Sequence, residues 1–278
     1  MTTTTRRDFL RNASTLAVVG AVSGAGLATT ATTAQAYDKP EGSSVEGVKA
    51  LIFDVFGTLV DWRTCVARES KKILAPLGYQ IDWIAFADAW RAEYQPGMEE
   101  IRSGRQPFSR LDVVHRGMLE RIRPRFGLEK LDEPVLANLN LVWHRLDAWK
   151  DVGPGFRMLR RKFLLAPCSN GNISLMVDLA RRNNIHWDAI LGAEIAGDCK
   201  PKLRVYQAAA EALGIKPSEC MMVAAHSDDL KFAAAAGLRT GHVAKLNEFG
   251  PNTGEPGPKV PVDAAAPDMV SFAKLLKA

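Results

Sequence analysis

Short apolar runs alternate with segments of helical periodicity along most of the chain. The first run, residues 48–53, stops abruptly at Asp54 and a Gly-Thr turn, which is typical of a buried strand that ends in a functional loop. Similar runs follow at residues 163–167, 189–191, 220–225 and 240–243. Because strands that alternate with helices form βαβ units, the pattern predicts an α/β fold with a mainly parallel sheet.

A long segment after the first strand departs from this alternation. It carries helical periodicity and no strand pattern, with large side chains at i+4 steps at Phe86, Trp90 and Tyr94. We interpret these aromatic residues chiefly as helix packing. Ligands of open parallel sheets bind outside the carboxyl ends of the strands, so a helical insertion at this point would cover the site.

The predicted domain organisation follows from that insertion. Residues 37–63 and 150–278 form the core domain, and residues 64–149 form a helical cap domain. Glycines and prolines interrupt residues 250–261, which predicts a surface loop, and residues 268–277 predict a short closing helix.

The first 36 residues have the pattern of an export signal. Arg6 and Arg7 form a twin-arginine motif, residues 16–27 are weakly apolar, and Ala34 and Ala36 fit a signal-peptidase site. We therefore expect export to the periplasm by the twin-arginine (Tat) translocase. The alternative is an amphipathic N-terminal helix with a chance arginine pair.

Charge and cysteine usage narrow the function classes. The 278 residues include 36 Lys and Arg and 31 Asp and Glu, and removal of the predicted signal leaves 33 and 30. With no long basic block, nucleic acid is not an expected partner. The four cysteines lack metal-type or CxxC spacing, so buried free thiols are favoured over a disulfide, although export would permit one.

Polar residues capable of chemistry follow the predicted strands. Asp54 precedes a Gly57 turn that lets neighbouring N–H groups face one point, which suits a carboxylate nucleophile, whereas a lone Asp there could simply cap a helix. Three further positions follow later strands: the Ser169-Asn170-Gly171 run, Lys200 and Asp229. A lysine beside Asp54 would keep that carboxylate ionised.

In this ordered set the chain resembles the haloacid dehalogenase (HAD) superfamily across residues 48–278, which implies a Rossmann-like core with an inserted cap. Phosphatases of the superfamily have a second Asp two residues after the nucleophile, where this sequence has Phe56. Ala224 and Ala225 also stand where those phosphatases have a Gly-Asp pair whose Asp helps to hold Mg²⁺, which disfavours phosphoryl transfer. The Asp54 motif and Trp90-Arg91 are instead similar to the type II (S)-2-haloacid dehalogenases.

The resemblance implies a hydrolytic dehalogenase that acts on a small halogenated carboxylic acid, without cofactor or metal, and that forms a homodimer. Asp54 would attack the carbon that bears the halogen, and water would hydrolyse the resulting ester. The implied roles are halide binding by Arg91 and Asn170, carboxylate binding by Thr58 and Ser169, lining of the site by Tyr206, support of Asp54 by Lys200, and activation of water by Asp229 and His226.

His226 is where the sequence departs from this branch, whose members often have Asn there and Trp at Asp228. A loop histidine tied to a backbone group is the alternative for His226. Two other functions stay open for the chain: a Mg²⁺-dependent phosphatase of the same superfamily, and a non-catalytic periplasmic binding protein with the same fold.

Overall fold

The computed structural model describes residues 45–278, in which six parallel strands form one sheet. The strands are β1 (Ala50–Phe53), β2 (Leu164–Ser169), β3 (Leu191–Gly192), β4 (Cys220–Ala224), β5 (Arg239–Val243) and β6 (Ala264–Ala266). Their spatial order is β3-β2-β1-β4-β5-β6, and β1 pairs along its whole length with β2 and β4. The predicted α/β fold with a parallel sheet is confirmed.

Helices cover both faces of this sheet. They are α1 (Trp62–Leu74), α2 (Trp83–Ala92), α3 (Tyr94–Arg102), α4 (Leu111–Ile122), α5 (Glu133–Asn140), α6 (Val152–Leu159), α7 (Ile173–Asn183), α8 (Ala193–Ala196), α9 (Leu203–Ala212), α10 (Ser227–Ala235) and α11 (Met269–Leu275). Short 3₁₀ turns lie at Ala75–Leu77, Arg123–Phe126, Leu141–His144 and Pro217–Glu219.

The central strand β1 explains why its sequence is a continuous apolar run. Successive side chains of a strand point to opposite faces, and helices cover both faces here. Phe53 packs in one apolar cluster with Phe156 of α6 and Phe272 of α11, whereas Ile52 packs in a second cluster with residues of α9 and α10. The strand is therefore fully buried, and Asp54 begins where this burial ends.

The segment between β1 and β2 is helical, as its periodicity predicts. Within the described residues it contains α1 to α6 and no strand longer than an isolated bridge. Its two connections to the sheet lie side by side, because the Asp61 N–H donates to the carbonyl of Asp147 at 3.0 Å and the Trp149 N–H donates to the carbonyl of Leu59 at 2.9 Å. The insertion is thus attached at one place, beside the end of β1.

Two features of the C-terminal part differ from the sequence expectations. Strand β6 was not predicted, because three alanines carry no β-branched or aromatic signal; pairing with β5 makes them a strand. Residues 250–261 are irregular, as expected, but the loop that contains them also reaches the end of β4, where Glu255 accepts hydrogen bonds from the N–H and hydroxyl of Ser227.

All four cysteines are buried and free, so the disulfide alternative is excluded in this structure. Among residues 45–278, no helix is both long and apolar enough to cross a bilayer. The predicted twin-arginine signal and its cleavage site lie outside the described residues. Export and dimerisation therefore stay predictions.

Two glycines of α6 give a matched test of its packing against α11. A Cβ on Gly155 would lie 2.8 Å from backbone atoms of Met269, whereas a Cβ on Gly153 would meet only the end of Arg157 at 3.7 Å. We expect Gly155→Ala to lower the free energy of unfolding by about 1–3 kcal/mol through overpacking. Gly153→Ala should be neutral or stabilising by up to about 1 kcal/mol. Urea unfolding measures both, and equal effects would contradict the packing argument.

Candidate active site

Asp54 lies at the carboxyl end of the central strand, where the loops after β1, β2 and β4 converge. One carboxylate oxygen, Oδ2, accepts hydrogen bonds from the Thr58 hydroxyl at 2.8 Å and lies 3.1 Å from Nδ1 of His226. The other oxygen, Oδ1, lies 3.4 Å from Nζ of Lys200. The tight turn after Asp54 depends on Gly57, whose φ is +84°.

The electrostatic environment keeps Asp54 negative. Burial alone would raise the pKa of Asp54, but the charges of Lys200 and His226 outweigh burial and hold this pKa well below its usual range. Burial likewise disfavours the charged form of Lys200, while Asp229 and Asp54 raise the pKa of Lys200 above its ordinary value. Asp54 is therefore an ionised carboxylate available as a nucleophile at neutral pH.

Lys200 lies between two carboxylates, and the second of these fixes its position. Its Nζ is 2.7 Å from Oδ2 of Asp229, and Oδ1 of Asp229 accepts a hydrogen bond from the Tyr206 hydroxyl at 2.5 Å. Both oxygens of Asp229 are thus occupied. The Tyr206 ring borders the cleft, as expected of a lining residue, but its hydroxyl is directed to Asp229.

The hydroxyl of Thr58 has different partners from those that the resemblance implies. Thr58 is fully buried, its hydroxyl proton is directed to Asp54, and its oxygen accepts the N–H of Ala225 at 2.9 Å. A hydroxyl has one proton to donate, so none remains for a substrate carboxylate. Thr58 positions Asp54 and joins the loops after β1 and β4.

His226 bridges two carboxylates. Its Nδ1 faces Asp54, and its Nε2 lies 2.8 Å from Oε2 of Glu248, a residue that the sequence analysis missed. Burial disfavours the charged imidazole, yet the hydrogen bonds to Asp54 and Glu248 raise the pKa of His226 to about 10. Because both ring nitrogens contact carboxylates, the alternative of a histidine tied to a backbone group is wrong.

Arg91 projects from the helical insertion into the same cleft as Asp54. Its guanidinium carbon lies 4.1 Å from the ring centroid of Tyr94 and 5.7 Å from that of Trp62, a cation–π arrangement. Among the described residues no carboxylate pairs with Arg91, in contrast to most arginines of the insertion. The cation is therefore held in place by aromatic rings and left free to bind an anion.

The residues after β2 also line the cleft. The Asn170 side-chain amide donates to the Tyr94 hydroxyl at 2.8 Å and accepts the N–H of Lys200 at 2.8 Å. Tyr94 is thus a cleft residue, whereas Phe86 and Trp90 are buried in helix packing, as interpreted from the sequence. The buried Ser169 hydroxyl accepts the N–H of Gly171 at 3.1 Å and keeps its own proton for a ligand.

The cleft has a volume of about 730 Å³. Every residue of the predicted site except Thr58 lines it. A magnesium ion would need several oxygen ligands. Phe56 occupies the position two residues after Asp54, and both Asp54 oxygens already face Lys200, His226 and Thr58. This donor set does not fit the ion.

A family model for haloacid dehalogenase-like hydrolases matches residues 48–237, which contain all of these groups except Glu248. The chain belongs to this family. A defluorinating L-2-haloacid dehalogenase of known structure is 38% identical to this hydrolase, with a TM-score of 0.81 over 83% of this chain and 96% of that one. A second L-2-haloacid dehalogenase structure is also 38% identical, with a TM-score of 0.79 over 83% and 99%.

Curated relatives carry the same description at lower identity. (S)-2-haloacid dehalogenase 1 of Pseudomonas sp. (strain CBS-3) is 27% identical over 208 residues, which cover 73% of this hydrolase and 88% of that protein. The (S)-2-haloacid dehalogenase of Xanthobacter autotrophicus is 26% identical over 206 residues, which cover 72% and 77%. The family and fold that the sequence motifs predict are thus confirmed.

Proposed function

We propose that this hydrolase converts short (S)-2-haloacids to 2-hydroxy acids through an ester on Asp54. The observation that carries the proposal is the pairing of an ionised, buried Asp54 with an uncompensated Arg91 across one cleft. A nucleophilic carboxylate and a free cation are what displacement of a halide requires, because negative charge moves from one to the other. The descriptions of the relatives support the same chemistry.

In the first step an Asp54 oxygen attacks C2 of the substrate, the carbon–halogen bond breaks with inversion, and the halide leaves with its electron pair. Arg91 and the second amide N–H of Asn170 bind the departing halide. Lys200 keeps Asp54 ionised before the attack. Ser169 and backbone N–H groups at the strand ends hold the substrate carboxylate, which leaves Thr58 to orient Asp54.

In the second step water attacks the Asp54 carbonyl carbon and releases the hydroxy acid. His226 is the titratable group with a ring nitrogen directed at Asp54, so it is the residue that can take a proton from this water. Asp229 contacts Lys200 and not Asp54, because one of its oxygens is bonded to Lys200 and the other to Tyr206. We therefore assign Asp229 to positioning Lys200.

One assay separates this proposal from its rivals. Purified protein is incubated with (S)-2-chloropropionate, and separately with a phosphomonoester and Mg²⁺, while chloride and phosphate are followed. We expect chloride release and no phosphate release. Phosphate release that requires Asp54, without chloride from any of several short haloacids, would establish the phosphatase instead. Inactivity on both substrates, with retained ligand binding, would favour a binding protein.

Arg91→Ala should lower chloride release about 100-fold, as removal of a single charge-stabilising donor does in other active sites. The fold should not change, since Arg91 makes no ion pair among the described residues. Arg121→Ala is the matched control, because Arg121 is another arginine of the insertion, is paired with Glu93 on the surface, and lies outside the cleft. Unchanged chloride release by Arg91→Ala would refute the halide assignment.

A further inference from the structure

Glu248 is a buried carboxylate that follows β5 and reaches back to the nucleophile loop. Its side chain is 2% exposed, its Oε2 lies 2.8 Å from Nε2 of His226, and its Oε1 accepts the indole N–H of Trp62 at 3.2 Å. It also lies against Gly57, where a Cβ would come within 2.1 Å of Oε1. The fold thus reserves this space for the carboxylate and directs it at the imidazole.

The proposed reaction changes only one of the two carboxylates that contact His226. Before the reaction, His226 lies between the charges of Asp54 and Glu248. Once Asp54 becomes an ester, its charge is gone, and Glu248 is the carboxylate that still holds the ring. Among the described residues, neighbouring titratable groups include His242 of β5, which is buried and neutral, Glu255, which is 3.9 Å from His242 and bonded to Ser227, and Lys259, which is 3.4 Å from Glu255.

We infer that Glu248 orients His226 and stabilises its imidazolium, so that His226 is the base for hydrolysis of the Asp54 ester and becomes active only after that ester has formed. This inference rests on the proposed dehalogenase activity. It makes Glu248 a positioning residue, because it touches the base and not the reacting atoms. The arrangement of carboxylate, imidazole and reacting oxygen is the one by which hydrolases activate a weak nucleophile.

The step balances without an external reagent. Loss of the Asp54 charge lowers the affinity of His226 for its proton, which passes to solvent and frees Nδ1. The oxygen of a water molecule then bonds to Cγ of Asp54 while Nδ1 takes one of its protons. The bond between Cγ and the ester oxygen breaks, that oxygen keeps the electron pair, and Nδ1 returns the proton to it. Asp54 is regenerated as an acid and ionises.

Glu248→Gln tests the inference, because glutamine keeps the shape and can still accept the Trp62 indole N–H. With (S)-2-chloropropionate we expect a burst of one chloride per active site, followed by turnover about 100-fold slower than wild type, in the range of general-base effects. Rapid quenching and mass spectrometry should show the ester on the peptide that contains Asp54. Wild-type protein should accumulate much less of it.

The pH profile of ester decay gives a readout that a merely structural role would not move. A base must be neutral to act, so the rate rises with pH through its pKa, and a neighbouring carboxylate raises that pKa. Removing Glu248 should therefore move the rising limb to lower pH and lower the plateau. Glu211→Gln is the control, because Glu211 is an exposed carboxylate that is paired with Arg204 outside the cleft, and this variant should keep the rising limb and the plateau of wild type.

The outcomes separate the inference from the function on which it rests. If wild-type protein is active and Glu248→Gln turns over within threefold of the wild-type rate, the role of Glu248 is overturned. Absence of the chloride burst in the variant would overturn it as well. No chloride from wild-type protein would instead overturn the proposed function. If Glu248→Gln does not fold, His226→Gln takes its place, with the same burst and ester expected and no rising limb. Rapid ester decay in that variant would exclude His226 as the base.

Discussion

Asp54→Asn is expected to abolish halide release, with a loss of at least about 10⁴-fold, because an amide cannot form the ester on which the proposed reaction depends. The substitution is nearly isosteric, so the substrate cleft should keep its shape. Chloride release and mass spectrometry of the protein after incubation with (S)-2-chloropropionate measure the effect. No chloride and no adduct should be detected.

The melting temperature of Asp54→Asn shows whether a loss of activity comes from the missing nucleophile or from unfolding. Removing the Asp54 charge leaves Lys200 paired with Asp229 and His226 paired with Glu248, so no buried cation loses its last partner. We therefore expect the melting temperature to stay the same or to rise, as is common where an active site holds several charges together. Halide release that survives in a folded variant would show that another residue is the nucleophile.

The sequence was sufficient for the parts of the site that follow from strand ends. Asp54 and Ser169 lie at the ends of predicted strands, Lys200 follows the next strand after one short helix, and a parallel sheet gathers such positions at one edge. The approximate places of β1 to β5 could be read from apolar runs alone, whereas the three alanines of β6 gave no such run. The burial of β1 on both faces is what made its run continuous and easy to recognise.

The partners of those residues could not be predicted in the same way. Glu248 lies in an irregular loop with no periodicity, and its contact with His226 spans 22 residues of sequence that include a helix and a strand. The spacing of polar residues along the sequence does not predict the contact between Glu248 and His226. The tight fit of Glu248 against Gly57 is likewise visible only in three dimensions, because the glycine already had a local explanation as a turn residue.

The hydrogen-bond partners of the hydroxyl groups could not be predicted for a related reason. Thr58 was expected to hold the substrate, yet its proton and lone pair are both used within the protein, by Asp54 and the Ala225 N–H. Tyr206 lines the cleft as expected, but the partner of its hydroxyl, Asp229, was not predicted. A motif predicts that a group lies near a site, whereas its free hydrogen-bonding capacity depends on neighbours from other strands.

Lys200→Met has the second large expected effect, and it acts on stability and activity together. Lys200 is the cation shared by Asp54 and Asp229, and its side chain is only 10% exposed. Methionine keeps the length of the side chain but leaves two buried carboxylates without their common partner. Breaking a buried ion pair on one side typically lowers stability by about 3–5 kcal/mol, and urea unfolding at neutral pH should show a loss of this size.

The pH dependence of Lys200→Met follows from the sign of the Asp54 shift. In the wild type the pKa of Asp54 is held well below its usual range, so its stabilising contribution is present above the unfolded pKa and is lost as pH falls through the folded one. Without Lys200 one of the two positive charges that offset burial is gone, so the pKa of Asp54 rises and the acid limb of chloride release moves to higher pH. Lys202→Met, which removes an exposed lysine paired with Asp198, should change neither stability nor the limb. The acid limbs of chloride release can be compared between Lys200→Met and Lys202→Met. If the two limbs coincide, His226 alone keeps Asp54 ionised.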